Sequence, residues 1–307
     1  MKFLTKKYFI LLTAVSLLFS CAGSVGNGGS SGQKNPQDST KKISNADKSL
    51  LVKVNNRLFS VPSPLQLAVI LKKMKLPYKK ELLNPVSARQ DYTTTFKQAL
   101  NTGVYGADLA YINVYGQLPE APSYFGAVKS LTSELGILNS FSEQIMERIE
   151  RNSGDKDSLM YIASTIYRES DYYLINSDRN EVGALIIAGG WVEALYLLTN
   201  AANSNSETSP EVIEIIGQQK YPLNNLIELL RPYYGKLNRG YDSFLENLSD
   251  LANIFDEVNI KYTYKPAQTD ENKKLTIINS ESKAVLDKSL IDIIREKITK
   301  LRGDIIQ

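Results

Sequence analysis

From residue 60 onward, apolar positions recur mostly at three- and four-residue spacing, the period of an amphipathic helix. Ser63-Pro64 opens a helix running to about residue 75, with proline in the first turn, where its missing N–H is not needed. Pro77 and Pro85 bracket a loop. The pattern then predicts helices over 88–101, stopped at Asn101-Thr102-Gly103, over 105–115, ended by Gly116, and over 122–135, ended by Gly136. Two more follow over 140–151 and 157–170, and 181–202 is the longest and most apolar helix. Helices over 210–218, 222–234 (bent by Pro232) and 241–257 complete the series. The texture then changes: Asn259-Ile-Lys-Tyr-Thr-Tyr-Lys alternates, and Lys274-Leu-Thr-Ile-Ile-Asn answers it, which predicts a β-hairpin at about 258–280. A last helix is expected over about 282–301. The fold class is mainly α: an irregular multi-helix bundle with one small hairpin near the C-terminus. An α-solenoid-like stack is the second option, although no 34-residue repeat is visible.

Inside the 181–202 helix the stretch IIAGGWVEALYLL holds two adjacent glycines, the only tryptophan and a lone glutamate. On a helical wheel Gly183, Gly190, Ala194 and Ala201 form a smooth stripe. Gly103, Gly106, Ala107 and Ala110 form a second one. Mid-helix glycine costs up to about 1 kcal/mol relative to alanine, and close helix contact offsets that cost. The two stripes are therefore expected to pack together, in preference to a reading of the glycine pair as a ligand-approach site.

Glu193 and Asp108 sit in apolar company, and a buried carboxylate is costly unless paired. One reading is a structural network satisfied by tyrosines and by arginines such as Arg168 or Arg179. The other is a pocket formed by Asp108, Glu193, Trp191, Tyr111 and Tyr115, in which two carboxyls could bind a sugar or cleave a glycosidic bond. There are 18 tyrosines to 9 phenylalanines, and the pairs Tyr172-Tyr173, Tyr233-Tyr234 and Tyr262 with Tyr264 could offer ring faces. Buried rings with wet hydroxyls account for such residues more simply.

The ends and the composition narrow the class. Lys2, Lys6 and Lys7 precede an apolar run over 8–19, too short to span a membrane. Leu18-Phe19-Ser20-Cys21 has the form of a lipobox, which implies cleavage before Cys21 and acylation of that residue. An ordinary secretory leader with an incidental cysteine is the alternative. Residues 1–20 thus read as a leader, 21–42 as a flexible Gly/Ser/Asn tether, and 43–307 as a single helical domain. Cys21 is the only cysteine, so no disulfide can form within the chain. The net charge of +3 matches the three lysines of the leader, which leaves the rest of the chain neutral. The lysines at 72, 73, 75, 79 and 80 are the densest basic group and read as a solvated helix end. Nucleic acid is excluded as a partner class.

Histidine is absent, which removes the usual general base, the commonest metal ligand and the Ser-His-Asp triad. The S-x-x-K matches at 31–34, 153–156 and 280–283 lack the accompanying motifs. Asp155-Lys-Asp157 is too sparse for a calcium loop. Neither a metal nor a cofactor is expected.

The blocks ALNTGVYGADLAYINVYGQ, ELGI, RIERNSGDKDSL and AGGWVEALYLL resemble a family of helical lipoproteins of Bacteroidota, over roughly residues 60–205. The resemblance implies a lipid anchor in the cell envelope, at the outer membrane. No acidic tract follows Cys21, so a periplasm-facing domain is expected. The resemblance carries over no catalytic residue. The expected function is a non-enzymatic binding or scaffold domain whose partner is another envelope protein or a glycan. A glycan-binding or glycan-hydrolysing protein using Asp108 and Glu193 is the alternative.

Overall fold

A computed structural model describes residues 50–54, 57–137, 179–202, 209–270, 275–277 and 279–307. The leader, Cys21, the tether, Tyr172-Tyr173, Arg168 and the helices expected over 140–151 and 157–170 lie outside the described residues.

The protein is mainly α, with eight α-helices among the described residues and short antiparallel strand pairs. Strands β1 (Leu50–Val54) and β2 (Arg57–Val61) pair first. Helix α1 (Pro64–Lys73) starts at a full capping box: the Ser63 hydroxyl accepts from the Gln66 N–H, and the Gln66 side chain accepts from the Ser63 N–H. Next come α2 (Thr95–Tyr115), α3 (Ala121–Glu134), α4 (Asn180–Ala202), α5 (Pro210–Gln218) and α6 (Lys220–Leu230). After α7 (Arg239–Phe255) come β3 (Asn259–Thr263), β4 (Gln268–Asp270), β5 (Leu275–Ile277) and β6 (Glu281–Val285). Helix α8 (Lys288–Ile306) closes the described chain.

α2 and α4 form the centre, flanked by α1, α3 and α8. Contacts join elements far apart in sequence, α1 to α4 and α2 to α8, which a stack of nearest neighbours does not make. One continuous hydrophobic cluster runs from Val61 to Ile305. α4 is long and apolar enough to cross a bilayer, yet 83% of its most apolar window is buried inside the protein, and it serves as the core helix.

Three expectations need correction. α2 does not stop at Asn101-Thr102-Gly103. It runs on to Tyr115: the Thr102 hydroxyl bonds the Gln98 carbonyl at 2.7 Å, the Asn101 amide bonds the Lys97 carbonyl and the Ile305 carbonyl of α8 at 3.0 Å each, and Gly103 packs against the α4 backbone, so none of the three turns the chain out of the helix. The stop comes at Gly116, left-handed at φ 76°, which closes a Schellman turn.

The hairpin is longer than expected, and β3 pairs with β6 rather than with 274–279. The Asn279 amide bonds the Pro266 carbonyl, and the Ser280 hydroxyl bonds Lys265 through both its N–H and its carbonyl. This knot divides the hairpin into an outer ladder, β3–β6, and an inner one, β4–β5. The last helix accordingly begins at Lys288, capped by Asp287.

The β1–β2 pair adds to the expected elements; its signal in the sequence is the alternation on either side of Asn55-Asn56.

Candidate functional site

The central feature follows from two glycines. A Cβ on Gly103 would stand 2.0 Å from the Ile186 carbonyl oxygen and 2.5 Å from the Gly190 nitrogen. A Cβ on Gly189 would stand 1.9 Å from the Leu100 carbonyl oxygen. Only glycine permits this approach of α2 and α4, so the expected pairing of the two helices is correct. The α4 side of the contact centres on Gly189 and the Gly190 backbone, rather than on the Gly183–Gly190 stripe. Gly106 is buried and Gly183 is only half-buried.

Asp108 lies five residues after Gly103, and Glu193 four after Gly189, so the close approach brings the two carboxyls together. Both are fully buried. Arg302 of α8 reaches them: its Nε donates to Glu193 Oε2 at 2.9 Å, and a terminal nitrogen donates to Oε1 at 3.2 Å. The same guanidinium bonds the Leu82 carbonyl at 3.1 Å and lies 4.6 Å over the Tyr196 ring.

Burial, then the neighbouring Glu193 charge, hold the Asp108 carboxyl well above the ordinary 3.8. Arg302 and the Asn84 N–H, at 3.1 Å from Asp108 Oδ2, oppose that shift without cancelling it. Burial also raises Glu193, against the pull of Arg302. Burial pulls Arg302 down, but the charge and hydrogen bonds of Glu193 prevail and push it up.

Asp108 Oδ1 is buried and has no hydrogen-bond partner among the described residues. The raised pKa of Asp108 favours its neutral form beside the Glu193–Arg302 pair.

The surrounding polar groups fasten the loop at 76–94 and the end of α8. Tyr105, Tyr111 and Tyr115 of α2 donate to the carbonyls of Pro85, Pro77 and Leu76, at 2.9, 3.3 and 2.8 Å. Burial pushes all three phenols up. Asn84 donates to the Tyr92 hydroxyl at 3.0 Å, and that hydroxyl donates to the Ile306 carbonyl at 3.3 Å. Asn101 donates to the Ile305 carbonyl at 3.0 Å, and Lys97 donates to the Gln307 carbonyl. These side chains thus satisfy the last carbonyls of α8. The basic group at 72–80 does similar work. Lys72 and Lys79 donate to the Val114 and Asn200 carbonyls near the ends of α2 and α4, and Lys80 pairs with Glu120 at 3.0 Å.

The pocket expected around Asp108, Glu193, Trp191, Tyr111 and Tyr115 is corrected by the packing. All five residues are buried or nearly so and belong to the core network. Trp191 donates its indole N–H to Gln219 at 3.2 Å, fastening α4 to the junction of α5 and α6. Among the described residues no group of three or more acidic or cysteine side chains is placed to hold a metal ion.

An open cleft of about 580 Å³ lies elsewhere, where the first turns of α2 and α7 meet the last turns of α8. Its apolar lining is Phe96, Leu100, Phe244, Leu301 and Ile305, and its polar lining includes Thr94, Ser243, Asn247 and Asp304. A Cβ on Gly240 would stand 3.2 Å from Asn238 Oδ1, the N-cap oxygen of α7, and in ordinary contact with the Phe96 ring at 3.6 Å. The sequence offered only a faint signal for this site: aromatic residues in the first two turns of two helices.

Comparison with protein-family models, with curated proteins and with solved structures finds no match to this chain.

Proposed function

We propose that this chain is a lipid-anchored protein of the cell envelope, held through Cys21 at the outer membrane and facing the periplasm. In this reading residues 21–42 are the leash and the helical domain is a non-enzymatic binding module. The lipobox form of residues 18–21 and the resemblance to helical lipoproteins of Bacteroidota support the anchor. The observation that favours binding over hydrolysis is the burial of both carboxyls: Asp108 and Glu193 are closed to any substrate and engaged by Arg302. The cleft between α2, α7 and α8 is the binding site in this reading, since its volume falls within the range of small-ligand sites. Two aromatic side chains beside amide and hydroxyl groups, with Lys97 and Asp304 also in the lining, suit a sugar or peptidoglycan fragment.

Thermal unfolding with neutral oligosaccharides and muropeptides tests the cleft, using the wild type and Phe244→Ala. A midpoint raised for the wild type and unmoved for the variant supports the reading. No shift with any compound overturns the cleft as a glycan site and leaves a protein partner as the target.

A further inference from the structure

The loop that joins α6 to α7 runs beside the cleft. Its Gly235 N–H donates to Asp242 Oδ1 at 2.8 Å, and its Tyr234 hydroxyl donates to Glu246 Oε1 at 2.7 Å. Asp242 and Glu246 each stand next in sequence to a residue of the cleft lining, Ser243 and Asn247. The loop ends at Asn238, which lines the cleft and caps α7 by accepting from the Tyr241 N–H at 3.0 Å.

Tyr233 and Tyr234 of this loop have different fates. Tyr233 is half-buried and packs edge-on against Tyr241, with ring centroids 6.4 Å apart. The Tyr241 ring lies 6.3 Å from Phe96, and Phe96 meets Phe244 edge-on at 6.1 Å. An aromatic row thus joins the loop to the floor of the cleft and fixes one against the other. Tyr234 instead leaves its ring in solvent, 49% exposed. Its backbone N–H bonds the Arg231 carbonyl at 3.2 Å and its hydroxyl is pinned by Glu246, so the ring is held at both ends. A ring held in this way loses little conformational freedom when a ligand covers it.

We propose that Tyr234 is a second sugar subsite beside the cleft, so that the ligand is a linear oligosaccharide of two or more units rather than a single sugar. One unit sits in the cleft against Phe96 and Phe244, and the next lays its apolar C–H face on the Tyr234 ring. Ser243 and Asn247 line the cleft next to this loop and offer hydrogen bonds to the sugar hydroxyls. The subsite rests on the reading of the cleft as a glycan site.

The test is calorimetric titration of the wild type, Tyr234→Ala, Tyr234→Phe and Phe244→Ala with β-1,4-linked oligomers of N-acetylglucosamine and of glucose, as the single sugar, the dimer and the tetramer. In at least one series the wild type is expected to bind the oligomers about three- to tenfold more tightly than the single sugar. Tyr234→Ala should remove that gain and leave the affinity for the single sugar unchanged, whereas Phe244→Ala weakens binding at every length. Tyr234→Phe keeps the ring and should keep most of the gain. Unfolding midpoints of both Tyr234 substitutions without sugar should match the wild type, because the ring is exposed. Affinity that does not rise with length, a rise that survives Tyr234→Ala, or a loss as complete in Tyr234→Phe as in Tyr234→Ala overturns the subsite and leaves the glycan reading of the cleft standing. If no sugar of any length binds, that reading fails and the subsite fails with it.

Discussion

Arg302 grips both carboxylate oxygens of Glu193, a residue 109 positions earlier in the chain, and so ties α8 to the centre of the protein. The Glu193 side chain is fully buried and that of Arg302 is only 10% exposed, so neither charge can turn to water if its partner is lost. Removing one partner of a buried pair costs about 3–5 kcal/mol, whereas replacing both with apolar residues of similar volume is often close to neutral.

Arg302→Met is therefore expected to lower unfolding free energy by about 3–5 kcal/mol. Adding Glu193→Leu should recover much of that loss. Denaturant titration of the two single variants and the double variant, read as a mutant cycle, measures the coupling.

Asp108 makes stability depend on pH in a definite direction. Its folded-state pKa is raised, so its contribution is fully present below the ordinary 3.8 and is lost as pH rises through the raised value. Across that window one retained proton changes stability by about 1.4 kcal/mol per pH unit. Asp108→Asn keeps the shape and an acceptor for the Asn84 N–H but cannot ionise. The variant should gain on the wild type as pH rises above about 4. A difference between the two that stays flat across pH would show that Asp108 carries no such proton.

The glycines divide by environment. Gly103→Ala and Gly189→Ala place a Cβ within about 2 Å of a backbone oxygen, as the 2.0 and 1.9 Å separations require. Each should cost about 3 kcal/mol or more, or prevent folding. Gly126→Ala and Gly303→Ala meet nothing within 4 Å and lie within helices. Each should stabilise by about 0.5–1 kcal/mol. Thermal melts of the four variants separate the two classes.

Tyr105→Phe and Tyr115→Phe keep the ring and remove the bond to the Pro85 and Leu76 carbonyls. Each should cost about 0.5–1.5 kcal/mol, with faster amide hydrogen exchange confined to the loop at 76–94. Exchange that rises evenly over the whole domain would mean that these hydroxyls do not fasten the loop.

Much of the fold was legible in the sequence because the signals are local. Ser63-Pro64, Gly116, Gly136 and Ser209-Pro210 mark helix ends through caps and fixed dihedrals, which need no distant partner. The pairing of α2 with α4 was also legible, since glycines within a helix are costly and a close helix contact offsets that cost. The extent of α2 was not, because Asn101 and Gly103 look like a stop until the Ile305 carbonyl and the Ile186 backbone are there to meet them. The hairpin register was hidden for a similar reason: it depends on the Asn279–Pro266 contact and on Ala284 seating over Gly217.

The sequence by itself determined the helical character, most of the helix ends, the two smooth helix faces and the presence of two carboxyls in apolar surroundings. Whether those carboxyls formed a pocket or a structural pair was decided only by tertiary structure. Arg302 comes from a helix more than a hundred residues away, and periodicity places a residue on a face without naming what that face will meet. The same holds for the cleft, whose walls come from three helices that no local pattern links.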